Sequence, residues 1–231
     1  MFAAGCELVP LTLHITRGWR TKNGRQRQIY GVAAPWFAIF LVILRNNSRI
    51  RSYMNTVKIK DKTFRLSIPE SDIMKNIQAV ADQMNRDLEG KTPLLLAVLN
   101  GSFMFAADLM RMLTIPCEIS FVKLSSYEGT STTGNVKQLI GLNQDIKGRD
   151  VVVVEDIVES GITMRELIKT LEEKQPASVR VCTLLQKPEC LRVPLTVDYV
   201  AMEIPNDFIV GYGLDYDQEG RNLRDIYTVV E

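Results

Sequence analysis

Four consecutive valines, Val151–Val154, followed at once by Glu155 and Asp156, limit the folds open to this chain more than any other stretch. A strand with one wet face alternates apolar and polar residues. DVVVVEDI (150–157) is instead apolar on both faces, so it belongs in the interior of a sheet that is covered on both sides. LLLAVL (94–99) reads the same way. Around these two runs, strand and helix patterns alternate. VKIKDKTFRLSI (57–68) reads as a strand or hairpin, and Pro69 opens a helix in which Ile73, Ile77, Val80, Met84 and Leu88 recur at three- and four-residue spacing before Gly90 stops it. FMFAADLMRML is helical, CEISFVKL (117–124) and VKQLIGL are strands, and Thr163 to Lys174 is a helix. SVRVCTLL, VDYVAMEI and DIYTVV are further strands, with DFIVGYGLDYD lying before the last of them. The expected fold class is therefore α/β, a mostly parallel twisted sheet flanked by helices.

In such sheets ligands bind outside the carboxyl ends of the strands, and that is where Glu155 and Asp156 fall. At the end of an apolar run, carboxylates are seldom buried unless something engages them. Directly after them comes ESGIT (159–163), a Ser-Gly-x-Thr turn leading into a helix. It presents backbone N–H groups and two hydroxyls beside the positive end of a helix dipole, which makes a phosphate cradle. The plainer reading is a helix capped by Ser160 with a tight-turn glycine. An acidic pair beside a phosphate favours a ligand that puts hydroxyl groups or a metal ion between the charges. A 5-phosphoribosyl group does so, with its phosphate in the turn and its ribose hydroxyls on the acids.

The charge balance divides the chain. Residues 1–53 hold eight Lys and Arg against the single acid Glu7, together with both tryptophans (Trp19, Trp36) and the only histidine, His14. Residues 54–231 hold 20 basic and 26 acidic residues and neither Trp nor His. Without histidine, that body has no Ser-His-Asp or Cys-His pair and no His-ligated zinc site. Its acidity argues against a nucleic-acid partner. Cys6, Cys117, Cys182 and Cys190 lack C-x-x-C spacing, and three lie in or beside apolar runs, so they read as buried free thiols of a reducing, cytoplasmic protein. The uncharged stretch 29–44 is short for a membrane span and is interrupted by Pro35. The expectation is that residues 1–53 are a non-conforming extension from an upstream start, that Met54 is the true first residue, and that 54–231 has no membrane partner.

The series of β-branched strand, acidic pair, two apolar residues, acid and Ser-Gly-x-Thr resembles the phosphoribosyl pyrophosphate signature of type I phosphoribosyltransferases. LNGSF (99–103), SSYEG (125–129) and DFIVGYGLDYDQEGRN (207–222) resemble motifs of the hypoxanthine-guanine phosphoribosyltransferases. The resemblance runs from about Val57 to Val230. It implies the type I phosphoribosyltransferase fold with a small hood formed by the chain ends, purine salvage as the activity, Mg2+ as cofactor, and a homo-oligomer, dimer or tetramer. It also implies roles for individual residues. Glu155 and Asp156 would hold the ribose hydroxyls, and Glu159, Ser160, Gly161, Ile162 and Thr163 the 5-phosphate. Leu99, Asn100 and Gly101 would bind pyrophosphate through backbone amides around a non-proline cis peptide, with Arg221 also on pyrophosphate. Ser126 and Tyr127 would lie on a loop closing over the site. Lys187 would donate to the purine 6-oxo group, Phe208 would stack on the base, and the backbone at Ile209 and Asp215 would meet its 2-position edge. Asp215, Glu155 and Asp156 would share the magnesium. Glu159 would accept the proton from purine N7.

Each of these has a plainer alternative: a solvated lysine at a strand end for Lys187, core for Phe208, a solvated turn for Asp215 and Asp217, a surface charge for Arg221. The chain also departs from the family's pattern. The family commonly has Asp at the position of Glu159, often Thr at Ser160 and often Lys at Ile162. Two other functions compete with transfer. A non-catalytic sensor of phosphoribosyl pyrophosphate would be expected to lack Lys187 and the Ser126-Tyr127 loop and to have a basic surface. A membrane-tethered module would use 29–44.

Overall fold

A computed structural model of the chain describes residues 55–126, 137–142 and 144–230. The expectations placed on residues 1–53 and on Tyr127 lie outside them. In chain order, β1 (Thr56–Ile59) and β2 (Lys62–Ile68) form a hairpin, followed by α1 (Glu70–Asp87), β3 (Leu94–Leu99) and α2 (Phe103–Met112). Then come β4 (Glu118–Ser126), β5 (Lys137–Ile140), β6 (Asp150–Val158), α3 (Ile162–Glu172) and β7 (Ser178–Gln186). A 3-10 turn (Pro188–Cys190), β8 (Tyr199–Glu203), β9 (Ile209–Val210) and β10 (Ile226–Val230) close the chain.

The larger sheet has the order β5-β4-β3-β6-β7-β8, with five parallel strands and β5 antiparallel on the edge. The valine run is its centre. Val152 and Val154 face the side packed by α1 and α2, with Leu95, Ala97, Phe105 and Leu109. Val151 and Val153 face the other side, with Leu94, Leu96, Leu167 and Leu171 of β3 and α3. All four are at most 1% exposed. A strand whose two faces both meet helices has no position for a polar residue, and each buried side chain of this kind stabilises the fold by roughly 1.5–3 kcal/mol.

The smaller sheet, β1-β2-β10-β9, is antiparallel and joins both ends of the body. It is the hood that the resemblance implied. The two residues of β9 fasten it down by alternation. Val210 packs with Phe64 and Ile59 of the hood, and Ile209 enters the main core.

Three expectations need correction. Ser126 lies on a strand rather than in a loop, because β5 pairs antiparallel with the end of β4 (Ser126 opposite Lys137) and carries the ladder that far. The third helix spans Ile162–Glu172, and Gly161, not Ser160, is its cap residue. Of the three described cysteines, Cys182 is buried, while Cys117, just before β4, and Cys190, at the end of the 3-10 turn, are partly exposed.

Candidate active site

The chain builds β3, β4 and β5 to one side of the sheet, then crosses to build β6, β7 and β8 on the other. The order therefore reverses between β3 and β6, which is where an open α/β sheet leaves a crevice. Their ladder ends at the pair Ala97–Val154. Beyond it, β3 turns through the cis peptide Leu99–Asn100 into α2, while β6 continues through Glu155 and Asp156 beside β7. The cis bond falls where the family resemblance implied it. Asp156 N–H donates to Glu155 Oε1 (3.2 Å) and Ile157 N–H to Asp156 Oδ1 (2.9 Å), so each carboxylate is turned toward the backbone that follows it.

The two strand ends touch at Gly101. A Cβ there would stand 1.5 Å from Asp156 Oδ2, so only glycine lets the acid lie against this backbone. On its other side the Gly101 carbonyl meets Gly213, whose own Cβ would stand 2.1 Å from that oxygen. Leu99–Gly101, Asp156 and the segment at Gly213 thus form one stack.

Two helix amino termini open at this end. Neither α2 nor α3 has an acid in its first turn, whereas α1 has Glu70 and Asp72. A positive helix end without its own acid is suited to an external anion. Before α3, Gly161 takes φ +73°, which suits glycine, and its open face is covered by Leu191, Val193 and Leu195. Ser160 Oγ accepts from Ile162 N–H at a long 3.4 Å, and the Ser160 carbonyl accepts from Arg192 N–H at 3.0 Å. The segment after β7 therefore braces the turn.

That segment begins with Lys187, which is 5% exposed. Its ammonium donates to Glu159, whose side chain is 53% exposed. The solvated-lysine alternative fails here. Lysine is rarely buried without a partner, and this one is held beside the turn that precedes α3. Phe208 is not core either. At 46% exposure it packs edge-on to Tyr216 (centroids 5.7 Å) and against Phe64 (6.1 Å), with ring surface left open. Ile209 is buried, which leaves its backbone for any ligand. Asp215 and Arg221 are paired (2.6 Å), and Gln218 N–H donates to the same carboxylate (2.8 Å). Arg221 also donates to the Gly213 carbonyl (2.8 Å), so it is part of the stack rather than a surface charge. Asp217 is on the solvated side and pairs with Lys60. Among the described residues no group of three or more His, Cys, Asp or Glu side chains stands ready to hold a metal ion.

The acidic pair lies against the β3–α2 loop at Gly101, and the 159–163 turn follows it at the end of β6. A model of the phosphoribosyl transferase domain matches residues 69–217. The chain belongs to the phosphoribosyltransferase family. Over 164 residues it is 42% identical to the hypoxanthine-guanine phosphoribosyltransferase of Mycobacterium bovis, covering 68% of this chain and 81% of that one. Over 171 residues it is 42% identical to the hypoxanthine phosphoribosyltransferase of Salmonella typhimurium, covering 73% and 96%. The crystal structure of a hypoxanthine-guanine phosphoribosyltransferase from Bacillus anthracis is similar in fold. It has TM-score 0.67 and 40% identity, and the match covers 75% of this chain and all of that one. No helix among the described residues is long and apolar enough to cross a membrane.

Reading this phosphoribosyltransferase from sequence missed the side chains that brace the site without facing it. Leu191, Val193 and Leu195 have no motif of their own. The segment Gly211–Gly213 did carry a signal, two glycines around a tyrosine in a segment already singled out.

Proposed function

We propose that this enzyme transfers the 5-phosphoribosyl group of phosphoribosyl pyrophosphate to N9 of hypoxanthine or guanine, releasing pyrophosphate and giving IMP or GMP for purine salvage. The buried Lys187 held by Glu159 is the observation that carries the choice of base. A 6-oxo purine displays O6 and N7 side by side on one edge. Oxygen O6 needs a donor and a protonated N7 needs an acceptor. An ammonium and a carboxylate already in contact supply both at adjacent points. Adenine presents an amino group at the same place, donor against donor.

In the proposed reaction the base lies between the open ring surface of Phe208 and the strand end, with the backbone of Ile209 and Asp215 along its 2-position edge. Glu155 and Asp156 hold the ribose hydroxyls, and Glu159 to Thr163 the 5-phosphate. Leu99, Asn100, Gly101 and Arg221 receive pyrophosphate. Purine N9 forms its bond to ribose C1 as the bond to pyrophosphate breaks, C1 takes on oxocarbenium character, and the N7 proton passes to Glu159. Catalysis consists of positioning and of stabilising the leaving anion. A hard cation that keeps its waters and binds through one or two carboxylates plus substrate phosphates fits a site without a preformed cage. Asp215, or the Glu155 and Asp156 pair, would hold Mg2+, which would supply charge to offset that of pyrophosphate.

The working unit is proposed to be 54–231, acting in the cytoplasm as a dimer or tetramer. Among the described residues, all strands of both sheets lie in that range, as does every proposed site residue. The test is nucleotide formation by the full chain, and by a chain starting at Met54, from phosphoribosyl pyrophosphate and Mg2+ with each purine. Equal turnover of hypoxanthine and guanine by the two is expected, with adenine poor. An inactive full chain refutes the function, and loss of activity only on shortening refutes the boundary.

Lys187→Ala should narrow the preference for hypoxanthine over adenine by at least about tenfold, the scale of one charge-assisted hydrogen bond. Affinity for phosphoribosyl pyrophosphate should be unchanged. Competing-substrate rates read the ratio, and an unaltered ratio would place Lys187 outside the base site.

A further inference from the structure

Tyr212 takes φ +49° between Gly211 (+102°) and Gly213 (+100°), so three successive residues are left-handed. The other non-glycine residues with positive φ among those described, Lys60, Gln175, Asp217 and Gln218, are exposed turn residues. Tyr212 is 4% exposed. A bulky buried side chain on such a backbone persists only where its surroundings hold it, and such outliers cluster at functional sites. What holds it is α2: the Tyr212 hydroxyl donates to Asp108 Oδ2 at 2.6 Å and touches Met74 Sδ of α1 at 4.0 Å. Burial and the Asp108 carboxylate both push the phenol far above its ordinary range, so it stays a donor at any physiological pH. The remaining Asp108 oxygen is 3.3 Å from Arg111, itself exposed.

We infer that Asp108 and Tyr212 are positioning residues for the pyrophosphate half of the substrate, a deepening that rests on the function proposed above. The hydroxyl ties the left-handed turn to the helix that begins just after the β3–α2 loop. The turn in turn sets both groups given to pyrophosphate, since Gly213 lies against the Gly101 carbonyl and accepts the hydrogen bond of Arg221. Two of the base-side groups, Phe208 and Ile209, are held by other means. Phe208 is fixed by its aromatic neighbours and by Val229 N–H on its carbonyl (2.9 Å), and Ile209 by the β9–β10 ladder and the core. Loosening the latch should therefore separate the two substrates. Backbone bonds Gly211 N–H to Leu214 O (3.0 Å), Tyr212 N–H to Leu223 O (2.9 Å) and Gly213 N–H to Arg221 O (3.0 Å) keep the turn folded without the hydroxyl, so its register and not its existence is at stake.

The experiment is steady-state kinetics and calorimetric phosphoribosyl pyrophosphate binding on the full chain, for Tyr212→Phe, Asp108→Ala, their double variant and Asp108→Asn. The KM and Kd for phosphoribosyl pyrophosphate should rise about tenfold in Tyr212→Phe, the scale of a hydrogen bond to a charged acceptor. The KM for hypoxanthine should stay within about twofold. Asp108→Ala should match it, the double variant should be no worse than either single one, and Asp108→Asn, which keeps an accepting oxygen, should recover most of the loss. Values for phosphoribosyl pyrophosphate within about twofold of the parent, or a parallel rise for both substrates, would overturn the inference. If Tyr212→Phe does not fold, the two Asp108 variants decide by the same ratio. A parent that makes no nucleotide refutes the function itself; an active parent with an unshifted Tyr212→Phe refutes only this latch.

Discussion

Gly101→Ala is expected to lower kcat/KM for phosphoribosyl pyrophosphate by about 10²-fold or more while leaving the protein folded. The new methyl carbon would stand 1.5 Å from Asp156 Oδ2 and 2.5 Å from Asp156 Cγ, so the carboxylate has to swing away. For the fold this is a small change, since the displaced group is the free end of a side chain in a crevice. For the reaction it is large, because that carboxylate is proposed to hold a ribose hydroxyl, and a misplacement of about 1 Å in a positioning group can be worth 10²-fold. Gly213→Ala makes the contrast. Its methyl would stand 2.1 Å from a backbone oxygen, that of Gly101, on a residue with φ +100°, so neither partner can yield by a rotamer change and stability falls as well. Thermal melts beside the kinetics separate the two. A Gly101→Ala enzyme with parental kcat/KM would mean that Asp156 does not work from the position seen here.

How much of this was legible in the sequence followed the range of the interactions. The centre of the sheet was, because Val151–Val154 is apolar on both faces and no partner is needed to see it. The helix over residues 70–87 was, since Ile73, Ile77, Val80 and Met84 repeat with its period and are buried as that period requires. The turn at 159–163 was local too, and its cap is Gly161 rather than Ser160, where the positive φ falls. What could not be read depended on partners distant in the chain. Ser126 belongs to a strand only because Lys137 comes back to pair with it. Lys187 looks like any strand-end lysine until β7 and the turn after β6 bring it to Glu159, 28 residues away. The hydroxyl of Tyr212 finds Asp108 across 104 residues, and no spacing rule links the two.

The three acids at and just beyond the end of β6 are proposed to divide between two tasks, Glu155 and Asp156 on the ribose hydroxyls and Glu159 on the N7 proton, and that division is the centre of the account. Glu159 pairs with Lys187, and its side chain is half exposed. Glu159→Gln keeps the length of the side chain and an oxygen for Lys187 but cannot take the N7 proton. The most direct measurement is the single-turnover rate of nucleotide formation for this variant, with phosphoribosyl pyrophosphate affinity determined on the same preparation. Affinity close to the parent and a chemical step slowed by about 10²–10⁴-fold, the range for loss of a general base, are predicted. A chemical step within about threefold of the parent, well short of that range, would contradict the account and leave Glu159 as no more than the partner that keeps Lys187 buried.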